Sequence, residues 1–309
     1  MDTSLSALRR NAAMIAILFL GAAARADLPS PRNATSCSLA QPLPPRNVID
    51  LWGVQDRLVR DCLAQIPPRA TDHPNVYAVA IAPLGTQALF SREARTALQK
   101  LAAKYGGTAR GGVLLSNGAA DLMQVPLATP ENMAQIFDDI GSRMAGSPDD
   151  VLIVYLTSHG RPDAAVATAL PGNVPLIALS ADTLGATLDR AHIRRRVIIL
   201  SACFAGSWIP RLTSDDTIVI AAARPDRTSF GCDDRRELTY FGEAFLTGPL
   251  ARGASLAESF DGARKMVTQW ETAQKLLPSE PQMFVGRNMQ SFWQGPLAKA
   301  APRKIAARR

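Results

Sequence analysis

The chain has 309 residues, 47% of them hydrophobic, which suffices for one large core and hardly for two. Its formal charge of +7 suggests a nucleic-acid partner only until it is apportioned: Arg9, Arg10 and Arg25 outweigh Asp2 at the start, and Lys299, Arg303, Lys304, Arg308 and Arg309 charge the end. The body between is neutral, so nucleic-acid binding has no support, and with three scattered histidines and no CxxC no metal site is indicated.

Residues 1–26 read as a secretory signal, with Arg9 and Arg10, an apolar run from Ala12 to Ala24, and Ala24-Arg25-Ala26 as a cleavage site before Asp27. The run falls short of the roughly 20 apolar residues that span a bilayer. An exported chain, periplasmic or secreted, is therefore expected, with no stable membrane insertion after cleavage. In such a compartment four cysteines permit two disulfides, and Cys37 with Cys62, both in the N-terminal part, is the favoured pair.

Residues 27–74 are rich in proline, from Pro29 to Pro74, and read as an irregular lead-in. One helix is expected within it, where Val48, Leu51, Trp52, Leu58, Val59, Cys62 and Leu63 recur at helical spacing. From Asn75 short runs rich in Val and Ile alternate with helical stretches. The runs are Val76 to Ile81, Val113 to Leu115, Val151 to Leu156, Val197 to Leu200 and Thr217 to Ala221. Such alternation predicts βαβ units, hence an α/β fold on a parallel sheet over residues 75–298. Helices are expected from Ser91 to Lys104, from Pro130 behind an N-capping Thr129, from Ala181 to His192, and from Ser255 to Ala273. Residues 299–309 read as a solvated basic tail.

Two of these runs end in reactive side chains: Val151 to Ser158 delivers His159-Gly160, and Val197 to Ala202 delivers Cys203. The interval accommodates one crossover helix, so both residues are expected at the carboxyl edge of the sheet, where open α/β sheets bind ligands. An imidazole can take the proton of a thiol and return it to a departing amine. The backbone N–H groups of Gly160 and Cys203 can serve as an oxyanion hole. Each motif alone is ambiguous, since His-Gly also closes turns and a cysteine after an apolar run also fills cores.

Jointly, apolar strand, His-Gly, spacer, apolar strand and Ala-Cys resemble the caspase-like cysteine peptidases, and most of all their legumain (asparaginyl endopeptidase) family in its bacterial, exported form. The stretch from Ser229 to Gly242, ending Thr239-Tyr240-Phe241-Gly242, is similar to that family's Ser-rich loop and Thr-Tyr-Leu-Gly. The resemblance implies a three-layer, caspase-like fold with strand order 2-1-3-4-5-6, peptide or protein substrates, an acyl-cysteine intermediate, and no metal or cofactor. By the same resemblance Arg92 matches a pocket-lining arginine, and Ser229, Asp233 and Asp234 fall in the opposite pocket wall. Ser201 stands where the family has an acidic residue, and Phe90 where an Asn orients the imidazole, so neither asparagine preference nor a third catalytic member carries over. An amidase or transpeptidase on this scaffold, or a non-catalytic binding module, stays open. Cys232, in the same loop as Asp233, could form a silencing disulfide with Cys203.

Overall fold

The computed structural model describes residues 48–295; the expected signal segment, most of the lead-in with Cys37, and the basic tail lie outside them. Six strands form the main sheet: β1 (Val76–Ala82), β2 (Val113–Ser116), β3 (Val151–Thr157), β4 (Arg196–Ser201), β5 (Thr217–Ala221) and β6 (Gln282–Val285). Their order is β2-β1-β3-β4-β5-β6, parallel except for β6, which runs antiparallel to β5. This is the order the family resemblance implies. β6 is the strand the apolar runs did not reveal, because four residues after Pro281 carry too little pattern.

Burial explains the composition of the parallel strands. Leu152, Val154 and Leu156 of β3 enter one core and Ile153 and Tyr155 enter the other, so neither face offers a place for polar residues. The first face is covered by α1 (Gln55–Ala64), α3 (Pro130–Met144) and α4 (Ala181–Arg190). The second is covered by α2 (Ala88–Tyr105), α5 (Tyr240–Thr247) and α6 (Leu256–Ala273). The result is three layers.

Helix starts follow local chemistry. The Thr129 side chain accepts from the Asn132 N–H ahead of Pro130, and Ser255 and Glu258 form a reciprocal capping box at α6. α2 begins three residues before the expected Ser91, for a reason no local pattern carries: Asp234, 145 residues away, accepts from the Leu89 N–H at 2.9 Å. The single helix expected over 48–63 is two, Val48–Gly53 and Gln55–Ala64, and Trp52 is 43% exposed, so it does not belong to the buried stripe. Between β3 and α4 the chain adds small antiparallel pairings, Gly160–Arg161 with Ala165–Val166 and Ala165–Val166 with Leu179–Ser180. Cys62 is disulfide-bonded, whereas Cys203 and Cys232 are free thiols. Among the described residues no helix is long and apolar enough to cross a membrane, and no cluster of three or more His, Cys, Asp or Glu could hold a metal.

Candidate active site

The register of two neighbouring strands sets the site. Thr157 of β3 pairs with Ser201 of β4, and the Ser158 N–H donates to the Ser201 carbonyl at 3.4 Å. His159 and Cys203 each follow two residues beyond that pair, at the carboxyl edge of adjacent parallel strands. Gly160 packs directly on the main chain of Cys203: a Cβ there would lie 1.8 Å from the Cys203 carbonyl oxygen, so only glycine fits. Immediately after Cys203 the chain turns through Phe204 at φ 55°, whose N–H donates to the Arg227 carbonyl at 2.8 Å.

The Cys203 sulfur is surrounded by donors. The Ser229 N–H donates to Sγ at 3.3 Å, and the Sγ–H faces the Ser229 carbonyl at 3.5 Å. A hydrogen bond from the Cys232 thiol draws the Cys203 thiol down to about 6 against the upward push of burial, and the N–H groups of Ser229, Gly160 and Cys203 act in the same direction. Its partner responds oppositely: hydrogen bonding to Cys203, and then burial, push the Cys232 thiol up. The two N–H groups expected to form an oxyanion hole, those of Gly160 and Cys203, are thus near enough to the sulfur to favour its thiolate.

Burial also lowers the basicity of His159. Its ring meets the edge of Phe90, centroids 5.1 Å apart and planes at 82°, and among the described residues it makes no side-chain hydrogen bond. Catalytic hydrogen bonds commonly tighten only when substrate is bound.

Behind the sulfur lies a polar network anchored by a residue that the sequence reading passed over. Glu93 is fully buried, accepting from the Tyr155 hydroxyl at 2.9 Å and the Thr239 N–H at 2.7 Å. The Thr239 hydroxyl bonds that of Ser201 at 2.9 Å, which links the network to the end of β4. A signal existed, since position 93 falls at helical spacing from Leu89, Phe90 and Ala97, all buried. The residues expected as pocket groups each have partners within the protein. Arg92 donates to the carbonyls of Asp234 at 2.8 Å and Arg236 at 2.6 Å and pairs with Glu237 at 3.3 Å. Asp234 caps α2, and Asp233 is exposed in the fork of Arg235, which holds its carboxyl at about 2. Ser229 and Ser201 adjoin Cys203, one through its N–H on the sulfur and the other two residues upstream on β4.

No curated protein sequence matches the chain. Among solved structures it is similar to drICE, at 12% identity and TM-score 0.39 over 76% of this chain and 95% of that one. It is also similar to a secreted C11 cysteine protease from Bacteroides thetaiotaomicron solved with an irreversible peptide inhibitor, at 13% identity and TM-score 0.38 over 64% of this chain and 60% of that one. The profile of the peptidase C13 family matches residues 130–292, which is more than half of the chain and includes both strand ends that carry His159 and Cys203. On that match the chain belongs to the peptidase C13, or legumain, family of cysteine endopeptidases.

Proposed function

We propose that this protein is an exported endopeptidase, periplasmic or secreted, which cleaves peptide bonds through an acyl-enzyme on Cys203 with His159 as general acid and base. The observation that carries the reading is the Thr157–Ser201 register, which supports a common cleft for the two side chains. The Cys203 thiolate attacks the scissile carbonyl carbon. The N–H groups of Gly160 and Cys203 receive the new oxyanion as charge moves to it from the sulfur. His159, carrying a proton, gives it to the departing amine, then removes one from the water that hydrolyses the thioester.

With Arg92, Asp233 and Asp234 each held by protein groups, preference at the scissile residue is best read from a peptide library varied through Asn, Asp, Arg and Lys. Selection of Asn or Asp would support Arg92 in the pocket, and selection of Arg or Lys would support Asp233 or Asp234. Cys203→Ala and His159→Ala are each expected to lower kcat/KM by about 1,000-fold or more while circular dichroism is unchanged. Hydrolysis retained by either variant would remove the mechanism.

A further inference from the structure

We propose that Cys203 and Cys232 are a reversible oxidation site for hydroperoxides, at which Cys203 is oxidised and Cys232 closes a disulfide that shuts the site. The loss of activity rests on the peptidase reading of Cys203; the thiol chemistry does not. Both cysteines are free and half-buried, and each thiol is the strongest influence on the ionisation of the other, as neighbouring sulfurs are. Cys62 is already disulfide-bonded and does not compete. The loop bearing Cys232 is fixed over the strand end at two points, by the Ser229 N–H on the Cys203 sulfur at 3.3 Å and by Gln87 Nε2 on the Cys232 carbonyl at 3.0 Å. Gly231, at φ 83°, turns the chain between Ser229 and Cys232, a backbone conformation that favours glycine.

The reaction balances in two steps. The Cys203 thiolate attacks one peroxide oxygen, the O–O bond breaks, and Cys203 becomes a sulfenic acid while hydroxide or alkoxide leaves and takes up a proton. The Cys232 sulfur then attacks the Cys203 sulfur, the S–O bond breaks, and water leaves with the Cys232 proton. Overall two thiols are oxidised and one peroxide is reduced. The hydrogen bond to the Cys203 thiolate, the chief reason that Cys232 resists ionisation, ends with the first step, which frees the second thiol to react.

The full-length protein, treated with hydrogen peroxide, quenched with catalase, alkylated and digested with trypsin without reduction, should yield Val197–Arg211 linked to Thr228–Arg235. That species should accumulate as peptide hydrolysis falls, and dithiothreitol should reverse both. In Cys232→Ser, excess peroxide should carry Cys203 on to the sulfinic acid, with inactivation that dithiothreitol does not reverse. Inactivation without the linked peptide, or full rescue of Cys232→Ser after the same treatment, overturns the proposal. The two readings fail separately: hydrolysis by Cys203→Ala removes the peptidase while leaving the linked peptide of the native chain intact.

Discussion

Cys203 is prepared by donors more than by a base. Four hydrogen-bond donors, from Cys232, Ser229, Gly160 and Cys203 itself, favour its thiolate, while His159 is weakened as a base by burial against Phe90. The thiolate forms as pH rises through about 6, and the His159 proton is lost on the acid side of its ordinary value, so kcat/KM should be bell-shaped and peak below neutrality. Cys232→Ala deletes the largest of the thiolate-favouring contacts. Its acid limb should move to higher pH, as should the pH at which iodoacetamide alkylates Cys203. Gly160→Ala forces a methyl group onto the Cys203 carbonyl and displaces the N–H proposed for the oxyanion, with an expected loss of about 100-fold or more in kcat, measured on a peptide substrate. His159 and Cys203 were legible because each ends a Val/Ile-rich strand, where position follows from pattern. The contacts of Ser229 and Asp234 were not, because a loop obeys no period and their partners lie far along the chain, whereas Cys232 could be paired with Cys203 from the sequence alone, as a second thiol in that loop.

Among the elements, the five parallel strands could be read to within two residues because both their faces are buried, and α3 could be read from its cap. α5 was missed: eight residues, Tyr240–Thr247, are too few for periodicity, and its one local cue is the Thr239 side chain accepting from the Gly242 N–H. The loop between β5 and α5 owes its shape to α2, since Arg92 binds two of its carbonyls and Asp234 binds the first turn of that helix. Arg92→Ala should therefore speed tryptic cleavage after Arg235 or Arg236 several-fold under native conditions; an unchanged cleavage rate would mean that the clamp does not hold the loop. Ser255→Ala, which dismantles the capping box of α6 far from the site in sequence, should cost about 1 kcal/mol in urea denaturation without altering kcat/KM.

Across the whole molecule, Glu93 joins α2 to β3 through Tyr155 and to the start of α5 through Thr239, in a space so close that a Cβ on Gly242 would lie 2.3 Å from its carboxylate. Both partners are donors. Glu93→Gln would turn one of them toward an amide N–H, at an expected cost of about 1–3 kcal/mol measured by denaturant unfolding. A sheet covered on both sides also lacks the usual device for aligning its strands, because Val197, Ile198, Ile199 and Leu200 are apolar alike and all buried. A one-residue slip of β4 would trade one greasy face for another, yet carry the reactive sulfur to the wrong side. What opposes the slip is the seam at the strand tips, where the Ser158 N–H meets the Ser201 carbonyl and Gly160 abuts Cys203. The residues that adjoin His159 and Cys203 thus also keep the strands in step. A misaligned copy would be folded but inert, so after refolding the share of chains titrated by an active-site alkylator should fall below the share with native circular dichroism.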